Sequence, residues 1–226
     1  MRIPKLLVFA SGSATGGGSG FEKLVEAEQR GELGAQIVLV ASNHHCGGVA
    51  ERAVRLGKKL LTCHGDLWNR KFYQAVVRLA QADFVALSGW LLKVDGLDPR
   101  TTFNIHPGPL PSPGYDHNFG GLDKYGHHVH QAVLDAYLDG EVTESAVSMH
   151  FVTREYDKGP VFFRIPVPID PNDTPKSLGD RVNAIEHEWQ WRVTRAVVTG
   201  QVYWDGEDPA SLVVPNEPYF IGKTSG

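Results

Sequence analysis

An amide and an imidazole two residues apart, Asn104 and His106, sit in the run Phe103-Asn104-Ile105-His106-Pro107-Gly108-Pro109-Leu110-Pro111. In an extended strand, residues i and i+2 project from the same face. The prolines at 107, 109 and 111 end the ladder and stiffen the next segment, so the pair is displayed where a strand meets a rigid loop. An Asn there can donate to a developing oxyanion, while a His relays a proton or, when charged, stabilises the same oxygen. The same residues equally suit a strand end whose side chains tie down a proline loop, and so short a motif does not separate the two readings.

Two further stretches could carry chemistry. Ser11-Gly12-Ser13-Ala14-Thr15-Gly16-Gly17-Gly18-Ser19-Gly20 lies between an apolar strand and a helical pattern. Glycines and a helix N-terminus there would present backbone N–H groups to a phosphate. The stretch has no Lys at the P-loop position and does not match GxGxxG, which disfavours nucleoside triphosphatase and dinucleotide-binding readings. In His150-Phe151-Val152-Thr153-Arg154-Glu155-Tyr156-Asp157-Lys158-Gly159-Pro160, Asp157 occupies a turn between two apolar runs. Its carboxylate serves the turn, or it approaches His106 and governs the protonation and orientation of that ring.

The elements that must position these residues can be derived from hydrophobic patterning. Residues 5–10, 36–42, 58–63 and 83–89 form short apolar runs suited to strands covered on both faces. Helical patterns at 21–30, 48–56 and 67–81 separate them, giving β-α-β-α alternation and a parallel sheet. After the 103–106 strand comes a Gly/Pro-rich loop at 107–121, a helix at 126–138, and two runs at 145–153 and 160–169 that suit a strand pair. A long helix spans 174–199, with Thr174 as N-cap, Pro175 at its first position and Gly200 beyond its end. The fold class is therefore α/β, a Rossmann-like, mostly parallel sheet flanked by helices, with antiparallel strands in the C-terminal part. Residues 1–200 read as one domain and 201–226 as a partly ordered extension.

Composition narrows the function classes. The chain has 226 residues, 42% hydrophobic and 21% charged, as in an ordinary soluble globular protein. A net charge of −4 supplies no general field for nucleic acid. Cys46 and Cys63 are too few for a disulfide framework. The N-terminal apolar run Leu6 to Ala10 is too short for a signal peptide, and no stretch approaches the roughly 18 apolar residues of a membrane span; the expected location is the cytoplasm. His44-His45-Cys46 and His127, His128 and His130 lack zinc-like spacing, so no metal is expected. Trp90, Trp189 and Trp191 fall in core-like or helical positions, whereas Trp68 and Trp204 stand isolated.

Taken together, VFASG and GGGSG, VASN (40–43), LSGWLLKV (87–94), FNIHPGPLPSPG (103–114), FGGLDKYGHHVHQAVL (119–134), HFVTREYDKGP (150–160) and RVNAIEH (181–187) resemble the folate-dependent formyltransferases, in family order over residues 5 to 200. The closest likeness is to the branch that acts on glycinamide ribonucleotide in de novo purine (IMP) synthesis. The resemblance implies that the amine of that substrate attacks the formyl carbon of 10-formyltetrahydrofolate, a cosubstrate, without a metal. Asn104, His106 and Asp157 match the family's catalytic Asn, His and Asp. A protonated His106 and Asn104 would hold the oxyanion of the tetrahedral intermediate, and Asp157, through water, would help move the proton. Gly18, Ser19 and Gly20 align with the family's phosphate-binding residues and Glu186 with the residue that meets the ribose hydroxyls. Leu91, Leu92, Val94 and the backbone of Tyr156, Asp157 and Lys158 would bind the folate pterin.

The resemblance thus divides the domain into a phosphate-binding half (1–100) and a catalytic, folate-binding half (101–200). Small-molecule partners are expected, in a monomer or homodimer, with neither nucleic acid nor membrane. The first loop carries about four extra residues, 14–17, and has Gly20 where the family usually has Asn; Leu92 stands where some relatives place Arg. An amino sugar nucleotide as acceptor, and a non-catalytic folate- or nucleotide-binding role, are the alternative readings.

Overall fold

The computed structural model describes residues 2–14, 16–121 and 126–224. Thr15 in the first loop and residues 122–125, which belong to the FGGLDKYG part of the resemblance, lie outside the described residues. Strand β1 (Lys5–Phe9) is followed by α1 (Ser19–Gln29), β2 (Gln36–Ser42), α2 (Gly48–Arg55), β3 (Leu60–Thr62), α3 (Arg70–Ala80), β4 (Phe84–Ser88) and β5 (Thr102–His106). Helix α4 (His127–Leu138), β6 (Glu144–Phe151), β7 (Val161–Pro168) and α5 (Pro175–Val198) complete the main elements. The seven strands form one sheet in the order β3-β2-β1-β4-β5-β6-β7. The first five run parallel, while β6 and β7 are antiparallel to their neighbours.

Strand β1 shows why the sheet lies in the middle. Leu6 and Val8 enter one core, with α1, α4 and α5; Leu7 and Phe9 enter a second, with α3. Both faces of a central parallel strand are covered, so its sequence is a continuous apolar run rather than an alternation. In the second core, Trp68 packs edge-on to Phe9 (centroids 5.5 Å apart) and Trp90 (4.9 Å). Trp68 and Trp204, isolated in sequence, are thus core residues, 7% and 5% exposed.

The third helix starts later than the apolar pattern suggests. A 3-10 turn at Gly65–Leu67 precedes it, Trp68 turns inward to donate its indole N–H to the Cys63 carbonyl (2.8 Å), and Asn69 caps the helix by accepting from the N–H groups of Lys71 and Phe72. Helix α5 begins where its sequence signals place it: Thr174 accepts from Ser177 N–H and the Ser177 side chain answers to the Thr174 N–H, a capping box with Pro175 next in line. Beyond α5 the chain stays packed, with Val202, Trp204, Leu212 and Val214 buried. Residues 219–221 close the outer edge of β7 through Arg164 N–H to Tyr219 O (2.9 Å) and Ile221 N–H to Phe162 O (3.0 Å). Among the described residues no helix is long and apolar enough to cross a membrane.

Candidate active site

Strand order reverses direction at β1, whose neighbours are β2 and β4, and in open α/β sheets the crevice beyond the strand ends at such a switch is where ligands bind. A cavity of about 600 Å³ lies there, lined by the loops after β1, β4 and β5, the 152–157 turn and one side of α5. The loops after β1 and β4 are joined by Ser11 N–H to Gly89 O (3.2 Å) and by Leu91 N–H to Ser11 Oγ (3.0 Å).

At the sheet end of the cavity, β5 sends Phe103 and Ile105 into the larger core and turns Asn104 and His106 to the opposite face. Its antiparallel partner β6 sets His150 opposite Asn104 and Ser148 opposite His106. Opposed residues share a face, so an imidazole from β6 joins the pair. Asn104 Nδ2 lies 3.2 Å from His150 Nε2 and 3.5 Å from Asp157 Oδ1. Asp157 also stands 3.2 Å from His150 Nε2 and, through Oδ2, 3.8 Å from His106 Nδ1. The turn carries Asp157 at φ 50°, a left-handed conformation that Asp tolerates better than most residues, and the Gly121 N–H fixes its Oδ2 at 2.8 Å.

Protonation is set by these contacts. His106 Nε2 is 3.0 Å from the Phe119 carbonyl, which can only accept, so the ring carries its proton on Nε2 and offers the Nδ1 lone pair towards Asp157. Burial lowers the His106 pKa to about 4, against the upward pull of the Asp157 charge, and the ring is neutral at neutral pH. Burial works to raise the Asp157 carboxyl, but the His150 ring and the Gly121 N–H hold it well below the usual carboxylate range. A fixed carboxylate thus faces a neutral imidazole that becomes a partner the moment it takes up a proton.

One wall is the 89–94 loop, with Leu91, Leu92 and Val94 on the cavity. It is pinned from α3: the Tyr73 hydroxyl donates to the Lys93 carbonyl (3.0 Å) and accepts from the Trp90 indole N–H (3.0 Å). Burial pushes the Tyr73 hydroxyl to about 12, so it stays a donor.

The far end is built from α1 and α5. Gly18 caps α1 at φ 83°, and the first helical bond runs from Glu22 N–H to Gly18 O, so the N–H groups of Ser19, Gly20 and Phe21 have no carbonyl within the helix. Two of the extra residues, Gly16 and Gly17, pair with Ser13 and Gly12 in a small antiparallel ladder seated on the start of α2. A Cβ on Gly47 would fall 2.0 Å from Ser13 O and one on Gly48 2.6 Å from Gly16 O, so only glycines let α2 accept the insertion. Arg52 ties it down by donating to Gly17 O (2.9 Å) and pairing with Glu22 (2.7 Å). Across from α1, Glu186 reaches the cavity with Asn183 Nδ2 at 3.4 Å, and burial raises its carboxyl to about 7.

Comparison with known proteins gives this arrangement a lineage. The family model described as "Formyl transferase" matches residues 5–194. The chain belongs to the formyl transferase family. A chloroplastic phosphoribosylglycinamide formyltransferase from Arabidopsis thaliana is 34% identical over 94% of this chain and 71% of its own length. The phosphoribosylglycinamide formyltransferase of Bacillus subtilis is 27% identical over 83% of this chain and 91% of that protein. The crystal structure of a glycinamide ribonucleotide transformylase 1 from Symbiobacterium toebii superposes with a TM-score of 0.74 at 25% identity, covering 90% of this chain and 92% of that one. The sheet with its antiparallel β6–β7 edge is the formyl transferase fold.

Within this family member the residues singled out by sequence gather in one cavity. Asn104, His106 and Asp157 meet at the sheet end; Gly18, Ser19, Gly20 and Glu186 line the α1–α5 end; Leu91, Leu92, Val94 and Tyr156 line the wall between. Lys158 departs from the expectation: it is exposed at the turn and off the cavity wall, because the chain reverses at Asp157. Two lining residues are visible only in the fold, His150 through its register with Asn104 and Gln190 through the packing of α5. Among the described residues no cluster of three His, Cys, Asp or Glu side chains could hold a metal ion.

Proposed function

We propose that this chain transfers the formyl group of 10-formyltetrahydrofolate to the amine of glycinamide ribonucleotide, a step of de novo purine biosynthesis. The observation that carries the reading is one cavity with a proton-handling cluster, Asn104, His106, His150 and Asp157, at one end and a helix N-terminus facing Glu186 at the other. A substrate with an amine at one end and a phosphate at the other would meet both. The names of the plant and Bacillus relatives support this acceptor.

In the reaction, the amine nitrogen attacks the formyl carbon and the carbonyl π pair moves to oxygen. Asn104 Nδ2–H steadies the resulting oxyanion. The proton shed by the amine goes to His106 Nδ1, the lone pair left by the Phe119 contact. The imidazolium implied by the family resemblance therefore arises during the reaction, 3.8 Å from the Asp157 carboxylate that stabilises it. It then returns the proton to the departing folate nitrogen, yielding the formylated amide and tetrahydrofolate. His150 holds Asn104 and Asp157 in register. The pterin lies against Leu91, Leu92, Val94 and Tyr156, the ribose meets Glu186, and Gly18, Ser19 and Gly20 receive the phosphate.

This reading needs only small soluble substrates, which agrees with a net charge of −4; a cytoplasmic location and a monomer or homodimer are proposed with it, while the plant relatives carry chloroplastic names. The test offers glycinamide ribonucleotide and a panel of amino sugar nucleotides separately, each with 10-formyltetrahydrofolate. Turnover with glycinamide ribonucleotide alone is expected. Turnover of only a sugar nucleotide replaces the acceptor, and folate binding without any transfer replaces the enzyme reading with a binding one.

A further inference from the structure

His130 is a buried histidine with no part in the proton path. It stands in the first turn of α4, is 7% exposed and lines the cavity. Its Nδ1 is sealed from solvent without a hydrogen-bond partner. The opposite edge of the ring leans over Gly179 of α5, another lining residue: a Cβ on Gly179 would fall 2.8 Å from His130 Cδ2 and 3.0 Å from Nε2, so a side chain there would push the ring aside. Burial, and then the neighbouring His127, lower the His130 pKa, so the ring is neutral. A neutral imidazole has one N–H and one lone pair. An N–H sealed from every acceptor is the rarer defect in protein interiors, which puts the proton on Nε2, the nitrogen on the cavity side. There it has no acceptor among the described residues.

The ring lies between the two ends of the cavity. Val129, the residue before it, packs on Gly108, where a Cβ would fall 2.6 Å from Val129 Cγ1 and 3.3 Å from His106 Nε2. The start of α4 therefore rests beside the reacting end. On α5, Gly179, Asn183, Glu186 and Gln190 recur at helical spacing and form one lining face. That face runs from His130 at Gly179, past Glu186, to Gln190 beside Gly20. An acceptor laid along it, with its phosphate at α1 and its ribose at Glu186, passes the link between ribose and amine across His130.

We propose that His130 is a specificity-determining residue of the acceptor site, its Nε2–H donating to the carbonyl oxygen of the amide that joins the reactive amine to the ribose. The proposal rests on the glycinamide acceptor of the proposed function. It names the group that separates this acceptor from an amino sugar nucleotide, whose amine is borne on a sugar ring with no carbonyl beside it.

The test uses the full chain and two acceptors, glycinamide ribonucleotide and its thioamide analogue, in which a weakly accepting sulfur replaces the carbonyl oxygen. Titration calorimetry gives each Kd, and steady-state kinetics give kcat and the folate KM. The parent should bind the thioamide about tenfold more weakly, as expected when a buried donor loses its acceptor. His130→Phe keeps a ring and removes the donor; it should weaken glycinamide ribonucleotide about tenfold, leave the folate KM within about twofold, and bind amide and thioamide alike. His130→Gln, whose amide nitrogen stands near the place of Nε2, should restore the amide Kd to within about threefold of the parent. A parent that binds the two acceptors equally overturns the proposal without any variant. An unchanged Kd in His130→Phe, or a preference for the amide that survives in it, also overturns it, and a loss that His130→Gln does not restore makes His130 a packing residue. Any of these in a parent that turns over glycinamide ribonucleotide leaves the proposed function standing; a parent that neither binds nor formylates it overturns both.

Discussion

Asp157→Asn is the sharpest probe of the proton path, because the structure removes the usual objections to it. The φ of 50° at this position suits Asn at least as well as Asp, and an Asn Oδ1 can keep the 2.8 Å bond from Gly121 N–H. The change deletes the charge and, with Oδ1 held by Gly121, turns an amide donor toward Asn104 Nδ2 and His150 Nε2 in place of the second acceptor oxygen. That charge lies 3.8 Å from His106 Nδ1. At an effective dielectric of about 20, the attraction between a carboxylate and an imidazolium at this separation is roughly 4 kcal/mol. If the imidazolium exists only along the reaction, the loss falls on the transition state, and each ~1.4 kcal/mol is a factor of ten in rate. The amide dipole recovers part of it, so a fall of about a hundredfold to a thousandfold in kcat is expected, with both KM values little changed. Tetrahydrofolate formation in a single turnover at saturating substrates measures it, with near-ultraviolet circular dichroism as the control for folding. A rate within about threefold of the parent would show that the carboxylate does not serve His106.

Glu186 should make acceptor use depend on pH: its carboxyl, raised by burial to about 7, must ionise to accept from ribose hydroxyls, so kcat/KM for the acceptor should rise through pH 7 and this inflection should vanish in Glu186→Gln. The same group has a stability signature, since a carboxyl with a raised folded-state pKa binds more protons folded than unfolded between pH 4.5 and 7; its contribution to stability falls as pH rises through that window, and urea unfolding of Glu186→Gln should lack that decline. Arg52→Met frees the inserted hairpin by removing the bonds to Gly17 and Glu22, and steady-state kinetics should show a severalfold higher acceptor KM with the folate KM unchanged; equal changes in both would mean that the hairpin does not belong to the acceptor end. Thr174→Ala breaks the capping box of α5 and should cost about 1 kcal/mol in denaturant unfolding without altering kcat.

The features legible in the sequence are local ones. The display of Asn104 and His106 comes from strand period and the prolines behind them, and the start of α5 from Thr174 and Pro175, because the responsible forces act within a few residues. His150 reads in the sequence as one polar residue in an apolar run, yet its place opposite Asn104 depends on pairing between residues 46 positions apart. Period-two alternation in β6 gives Ser148 and His150 a common face but not which strand they meet. Trp68 and Asn69 mark the opposite failure: the apolar pattern runs through them into α3, and only the cap on Lys71 and Phe72 and the indole bond to Cys63 separate the turn from the helix.

The two ends of the cavity are held by different physics, and this bears on how the protein selects its acceptor. At the chemical end, Asn104, His106 and His150 are fixed by sheet register, where a slip of one residue would turn each side chain to the opposite face. Little variation is compatible with function there. The acceptor end is assembled from a loop, a helix start and side chains of α5, and each can change without disturbing the sheet. The insertion illustrates it: the ladder of Gly12–Ser13 with Gly16–Gly17 rests on Gly47 and Gly48 of the α2 start, outside the seven-stranded sheet, and the chain reaches Gly18 in time to cap α1. Acceptor affinity can therefore be retuned through Arg52 and the loop that it holds while the proton path through His106 and Asp157 keeps its geometry.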